Sequence, residues 1–274
     1  EGKFHPINGM QIVDVKRWSM KILPLYLEAP ARYLKQVHDT KTAGNLFRLI
    51  KGSGLYDRKL KMYVTSESLE NESHEIGRAR AFSAGWLERE SVFMHMEYKY
   101  LFGILKSGLY KEFYEEIKTA LPPFMNPAVY GRSTLENSSF IASSRNPDHS
   151  NHGRGFVSRL TGTTAEMVSI WLLMMTGHRL FKVEEGRLVF SLNPILNAEY
   201  FDENNEVRCR IFKDTIIKYK NVSGKNTYGE NCAFVRRYIL HYHSDRIEQL
   251  EEVYGEFAED IRNGKVSLIE AIIE

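Results

Sequence analysis

The chain has 274 residues, of which 43% are hydrophobic and 26% are charged. That length and apolar content suffice for a full hydrophobic core in one large domain or two smaller ones. The 37 basic and 35 acidic side chains give a formal net charge of +2. So balanced a charge argues against nucleic acid or an anionic membrane surface as the partner.

Two cysteines, Cys209 and Cys232, are the whole thiol content, and their spacing matches no metal-ligand motif. So few thiols favour a reducing compartment over a disulfide scaffold, and we expect a cytoplasmic protein. No apolar run reaches the length of a membrane span, and no signal-peptide pattern opens the chain. The chain starts at Glu1 instead of methionine, which we interpret as the mark of a fragment or a processed chain.

The first half of the chain is predicted to be helical with long loops. Two stretches with helical spacing lie within residues 24–51, after an irregular start. Residues 52–86 are polar and irregular, and a loop of that length in a compact domain is usually functional. Helical spacing returns in residues 91–106 and 109–121, which a Ser-Gly turn joins. These two segments are predicted to form a helical hairpin.

Residues 152–177, HGRGFVSRLTGTTAEMVSIWLLMMTG, join a basic, glycine-rich loop to an apolar helix. Thr161 or Thr163 is predicted to cap the helix start, and Gly177 is predicted to end the helix. A helix start has unpaired N–H groups and the positive end of the helix dipole, so a small anion is well placed there. The same pattern is also that of an ordinary capped core helix behind a loop.

The loop before this helix carries features that an anion-binding loop needs. Gly153 and Gly155 permit backbone conformations and close approaches that other residues do not. Arg154 and Arg159 add positive charge beside the helix start.

After Gly177 the pattern changes to short β-rich runs separated by turn residues. The predicted strands cover residues 187–196, 207–213, 214–221 and 233–244. Residues 246–264 are predicted to form a short helical tail.

Three segments resemble, in order along the chain, segments of glycoside hydrolase family 94, the inverting phosphorylases that include cellobiose and chitobiose phosphorylase. HGRGFVSRLTGTTAEM is similar to the family's FGRGRNSWLTGTAAWM, GWLERESVFMH to GIRENGGQFTH, and RLVFSLNPIL to LRIDPCIP. The resemblance implies a mainly α fold with a β module. Residues 1–182 would be the C-terminal portion of an α/α toroid of helical hairpins, and residues 183–274 an antiparallel, β-sandwich-like module with a short helical tail.

The resemblance also implies which residues bind ligands. His95 matches the family's phosphate-contacting histidine, and Thr161 and Gly162 match its phosphate-binding threonine-glycine pair. Glu88, seven residues before His95, matches a glutamate of the acceptor-sugar site. The chain departs from the family's pattern at Leu87, Arg89, Glu90, Ser91 and Arg159.

The implied reaction is reversible phosphorolysis of a β-glucoside, which yields a sugar 1-phosphate with inversion. The implied partners are an oligosaccharide or disaccharide substrate, inorganic phosphate as co-substrate, and the remainder of a parent polypeptide. No cofactor is implied, and self-association into a homodimer stays open. The family's general acid is an aspartate in a GDWND-like segment that this sequence lacks, so the isolated chain is expected to be inactive.

Two other functions remain open on the sequence. A hydrolase of the same toroidal architecture would use a carboxylate pair to activate water, and a carbohydrate-binding or interface module would have no catalytic residue. No spacing along the chain marks such a pair among the candidate carboxylates, which are Glu88, Glu90, Glu97, Glu136, Asp148 and Glu166.

Several single residues also have simpler interpretations. Outside the resemblance, His95 is more simply a hydrogen-bonded histidine on a helix face. Trp86, Phe93 and Tyr130 could stack on a sugar ring, although core packing explains them equally well. We assign no metal, because the cluster formed by Asp148, His149 and His152 lacks an established ligand spacing.

Overall fold

A computed structural model of the chain describes residues 2–12, 15–157, 161–212 and 214–274. Within these ranges the chain forms seven α-helices and thirteen β-strands, and the strands belong to four small sheets. The helices are α1 Glu28–Leu34, α2 Thr40–Gly52, α3 Met94–Lys106, α4 Tyr110–Ala120, α5 Pro127–Tyr130, α6 Thr161–Thr176 and α7 Glu256–Arg262. In this part of the chain, no helix is both long enough and apolar enough to cross a membrane.

The strands are short in the first half of the chain and longer in the second. The short ones are β1 Tyr56–Asp57, β2 Met62–Tyr63, β3 Val92–Phe93, β4 Phe140–Ile141 and β5 Gly155–Phe156. They are followed by β6 Phe181–Glu184, β7 Arg187–Phe190, β8 Glu206–Ile211, β9 Thr215–Asn221, β10 Val235–Tyr242, β11 Ile247–Leu250, β12 Val253–Tyr254 and β13 Val266–Ile273. The sheets have the strand orders β1-β2, β3-β4-β5, β12-β7-β6 and β11-β10-β13-β9-β8.

The predicted fold class, mainly α with a partial α/α toroid and an antiparallel, β-sandwich-like segment, is wrong. The described residues form a mixed α/β fold. The segments on either side of the α3–α4 hairpin form short sheets and 3₁₀ turns instead of further paired helices. In the five-stranded sheet, β13 pairs with β9 in parallel, so that sheet is mixed. The predicted toroid was implied by the resemblance, whereas the segments around the hairpin have polar, turn-rich sequences that lack helical spacing.

The predicted helical hairpin is confirmed. It consists of α3 and α4, which meet at Gly108, where φ is +86°. Only glycine adopts such a backbone conformation without strain, so the turn stays short and the two helices pack together. Helix α3 begins at Met94, later than predicted, because the two residues before it form strand β3. The buried side chains of both helices join one hydrophobic cluster with α1 and α2.

Helix α6 and its predicted end are also confirmed. The helix runs to Thr176, and Gly177 follows with φ +80° and an N–H that donates to Leu173 O at 3.0 Å. Because the helix begins at Thr161, its N-cap position falls on residue 160, which lies outside the described residues. The predicted caps, Thr161 and Thr163, are therefore the first and third residues of the helix, and their assignment to the N-cap position is wrong.

The C-terminal strands agree with the predicted β-rich runs, whereas the predicted helical tail is only partly helical. Residues 246–264 form β11, β12 and the short helix α7. A second hydrophobic cluster lies between the five-stranded sheet, α7 and β7. Tyr114 donates to Ile195 O at 2.5 Å within the first cluster, and Tyr219 donates to Met175 O, at the end of α6, within the second. The division into residues 1–182 and 183–274 stays a prediction.

Candidate functional site

The His95 ring lies against the first turn of α6. His95 is the second residue of α3, and its side chain is 27% exposed. A Cβ atom at Gly162 would lie 2.7 Å from Cε1 and 2.8 Å from Nδ1 of that ring, so only glycine allows this approach. The imidazole therefore lies beside Thr161 and Gly162, where the amides of a 16-residue helix have no partner within the helix.

Lys35 and Glu166 complete a charged cluster around His95. Lys35 Nζ lies 3.0 Å from Glu166 Oε2, and Glu166 Oε1 lies 3.9 Å from His95 Nε2. The lysine directly follows α1, and its ammonium group lies 5.0 Å from the centre of the Phe102 ring. The side chains of Lys35 and Glu166 are 21% and 16% exposed, so water screens this ion pair only in part. The cluster thus joins three helices, α1, α3 and α6, at one point.

The surroundings of His95 favour its neutral form. Burial is the largest influence and lowers the pKa of His95 below its ordinary value, and the positive charges of Lys99 and Lys35 act in the same direction. The carboxylates of Glu166 and Glu28 oppose this shift without reversing it. At neutral pH the ring is therefore mainly uncharged, with one nitrogen that donates a hydrogen bond and one that accepts.

Thr163 adds a buried polar group to the first turn of α6. Its side chain is 1% exposed, and its hydroxyl makes no hydrogen bond with any residue that the structure describes. Leaving a buried hydroxyl unpaired costs about 1–3 kcal/mol. A hydroxyl of this kind is either a structural cost or a group that a bound molecule would satisfy.

We expect Thr163→Val to raise the free energy of unfolding by about 1 kcal/mol, because valine keeps the shape and removes the unpaired hydroxyl. Thr215→Val is the matched control, since Thr215 is also 1% exposed but donates to Val266 O at 2.8 Å. The control is expected to lose about 1 kcal/mol. Urea unfolding of both variants measures the two changes, and a destabilised Thr163→Val would show that its hydroxyl is already paired in the free protein.

Glu88, the predicted acceptor-sugar residue, lies in a tight turn formed by residues 86–89. Its carboxylate binds the Arg78 guanidinium through both oxygens, and the side chain is 29% exposed. Leu87 and Glu90 have φ angles of +48° and +56°, a region in which residues other than glycine are strained. The structure thus gives Glu88 an arginine partner, and its role at a sugar stays a prediction.

The departures from the family pattern at Arg89 and Glu90 have a structural reason. Glu90 is 3% exposed, and its carboxylate accepts from Leu69 N at 3.1 Å and lies 3.3 Å from Arg89 Nε and 3.6 Å from Arg145 Nη1. Arg89 also donates to Phe82 O at 2.9 Å. A buried carboxylate held by two guanidinium groups fixes the strained turn in place.

The remaining candidate carboxylates each have a local partner. Glu136 binds Arg132 at 2.6 Å, and Asp148 accepts from Ser150 N at 2.9 Å. Glu97 is 1% exposed and accepts from Tyr63 N at 3.0 Å, and burial raises its pKa well above the ordinary value. The contacts of these three carboxylates are with groups other than the candidate carboxylates. They therefore do not indicate the carboxylate pair that a hydrolase needs.

In the 148–152 turn, both ring nitrogens of His152 contact protein groups. Lys59 Nζ lies 2.7 Å from His152 Nδ1, and His152 Nε2 lies 2.8 Å from Asn146 O. With both ring nitrogens occupied by protein groups, His152 has no atom left for a metal. Across the described ranges, no group of three or more histidine, cysteine or acidic side chains could hold a metal ion.

The aromatic candidates for sugar stacking contact other protein groups, but only Tyr130 is buried, and Trp86 and Phe93 are partly exposed. Trp86 lies edge-on to Phe156 at 4.4 Å, and Phe93 stacks on Phe140 at 4.5 Å. Tyr130 is 2% exposed and donates to a backbone carbonyl. Core packing explains Tyr130, and a stacking role for Trp86 or Phe93 stays a prediction.

The two glycines of the loop before α6, Gly153 and Gly155, have different structural roles. Gly153 has φ +82°, as its predicted role requires. Gly155 instead lies in strand β5, where a Cβ would overlap Ser138 and the Tyr130 ring. The Gly155 backbone therefore lies close to other protein residues and not to a ligand. Arg159, the second predicted arginine, lies outside the described residues.

Sequence reasoning missed two members of the cluster. Glu166 was weighed only as a hydrolytic carboxylate, although it stands four residues after Gly162 and so shares its helix face. No sequence pattern could have predicted the contact of Lys35 with Glu166, because the two residues lie 131 positions apart in the chain.

No protein-family model matches the chain, and no curated protein matches it in sequence at a significant level.

Proposed function

We propose that this chain supplies the phosphate site of an inverting glycoside phosphorylase. The observation that carries the proposal is the His95 imidazole packed against Gly162 at the start of α6. There, a ring donor and the backbone amides of a helix start lie side by side. Phosphate is the small oxyanion that such an arrangement of donors suits.

In the proposed reaction, a phosphate oxygen attacks the anomeric carbon of a β-glucoside from the face opposite the leaving group. The bond between the anomeric carbon and the phosphate oxygen forms as the glycosidic bond breaks, and a carboxylic acid protonates the departing oxygen, which yields a sugar 1-phosphate with inversion. Phosphate is already an anionic nucleophile, so no base is needed, and the protein's task is to hold and orient it. We assign the acid to a further part of a parent polypeptide, and the site of action to the cytoplasm.

The surroundings of the candidate carboxylates support phosphate over water as the nucleophile. A hydrolase that inverts needs a carboxylate that is free to activate water. Glu88 and Glu136 are held by arginines, Glu90 by two arginines, and Glu166 by Lys35.

Titration of inorganic phosphate into the chain, followed by calorimetry, tests the proposal. We expect His95→Ala to weaken binding about tenfold, since it removes one hydrogen bond to a charged ligand, worth ~1.4 kcal/mol. His178→Ala is the matched control, because His178 is another partly buried histidine whose pKa is lowered by burial, near Lys106 and Arg179. Equal phosphate affinity in both variants would remove His95 from the site.

A further inference from the structure

The charge that holds an oxyanion at this site has to come from outside His95. Burial, helped by Lys99 and Lys35, lowers the pKa of the imidazole, so at neutral pH the ring contributes a hydrogen bond and no full charge. The helix start supplies only about half of an elementary charge. A phosphate dianion therefore needs a further cation close to the His95 ring.

Lys35 is the cation that reaches this point from a third helix. Its ammonium group lies 3.0 and 3.2 Å from the two oxygens of Glu166, one of which lies 3.9 Å from His95 Nε2. The Glu166 carboxylate thus lies between the Lys35 ammonium group and the His95 ring, in the position where an anion would contact both groups. Lys99, one turn after His95 on α3, and Glu28 of α1 also influence the ring, with opposite signs.

We propose that Lys35 is a cationic ligand of the oxyanion beside the neutral His95 ring and that Glu166 is its internal counterion, which the oxyanion displaces on binding. The proposal rests on the proposed function and adds a regulating ion pair to that site. In the free protein Glu166 neutralises Lys35. When the oxyanion binds, one of its oxygens takes the place of the Glu166 carboxylate, and the carboxylate moves toward solvent, to which it is already partly exposed.

This arrangement makes opposite predictions for the two partners. Glu166→Gln removes the competing negative charge and frees Lys35, so inorganic phosphate should bind three- to tenfold more tightly, a typical coupling between two sites. Lys35→Met removes the cation and should weaken binding about tenfold. The double variant should bind like Lys35→Met, because the carboxylate acts through the lysine.

Phosphate titration of the full chain measures these affinities. Glu199→Gln and Lys118→Met are matched controls, since Lys118 and Glu199 form an ion pair elsewhere with Nζ and Oε1 3.5 Å apart. If His95→Ala weakens binding while Glu166→Gln leaves it unchanged, the phosphate site stands and the counterion role is overturned. If phosphate binds neither the parent nor Glu166→Gln, both proposals are overturned, whereas binding to Glu166→Gln alone would support the counterion role.

A second measurement needs no phosphate. In a proton NMR titration of the His95 ring, Glu166→Gln should lower the pKa of His95 and Lys35→Met should raise it, because the carboxylate stabilises the protonated ring and the ammonium group opposes it. An unchanged pKa in both variants would show that the three groups are not coupled and would overturn the proposal.

Discussion

Gly162→Ala is expected to weaken phosphate binding by about thirtyfold, or ~2 kcal/mol, the value of a hydrogen bond to a charged group. The added methyl group would lie 2.7 Å from His95 Cε1, 2.8 Å from Nδ1 and 3.1 Å from Nε2. Real Cβ atoms do not approach other atoms so closely, so the ring has to turn away from the helix start. The Gly162→Ala variant therefore moves the His95 ring away from the amides at the start of α6, which are the two groups of donors in the proposed site.

The stability of Gly162→Ala should stay within about 1 kcal/mol of the parent, because alanine favours the helix while the partly exposed ring moves aside. Gly44→Ala is the matched control. Gly44 lies in α2, and a Cβ there would meet its nearest neighbours at the ordinary distances of 3.6 and 3.8 Å. Calorimetric titration with inorganic phosphate, together with urea unfolding, measures both quantities. A Gly162→Ala variant that binds phosphate as the parent does would contradict the assignment of this helix start to the site.

Glu97→Gln is expected to stabilise the protein at neutral pH, and by more as the pH rises. Glu97 lies in the core with 1% of its surface exposed, and its pKa is raised well above 4.5, first by burial and further by the nearby Glu116 carboxylate. Below the pKa of the unfolded chain, both states hold the proton. Above it, the unfolded chain releases the proton and the folded chain keeps it. The stability of the parent therefore falls by about 1.4 kcal/mol per pH unit until the folded-state pKa is reached.

Glutamine holds no titrating proton, and its side-chain oxygen still accepts the hydrogen bond from Tyr63 N. The advantage of Glu97→Gln should thus grow with pH, by about 1.4 kcal/mol per pH unit, until the folded-state pKa of Glu97 is reached. Urea unfolding at three pH values measures this difference. Glu115→Gln is the matched control, because Glu115 is exposed on α4 and should show no such growth. Stability curves that run parallel for the parent and Glu97→Gln would mean that Glu97 is ionised in the folded protein.

The sequence by itself determined those elements that depend on neighbours along the chain. The hairpin of α3 and α4, the length of α6 and its end at Gly177 follow from helical spacing and from glycines whose positive φ the structure confirms. Strands β7, β8, β9 and β10 follow from β-rich runs between turn residues. In each case the signal lies within one or two turns of the chain, which is the range over which helix and turn preferences act.

Tertiary structure alone decided the sheet order and the composition of the candidate site. The parallel pairing of β13 with β9 joins segments about 50 residues apart, and no local pattern specifies it. Lys35 meets Glu166 across 131 residues, and the His95 ring meets Gly162 only because α3 and α6 pack together. Such contacts depend on how the helices bury their apolar faces against one another, which local spacing does not encode. The predicted toroid failed for the same reason, because the resemblance of three short segments does not specify how the helices of this chain pair.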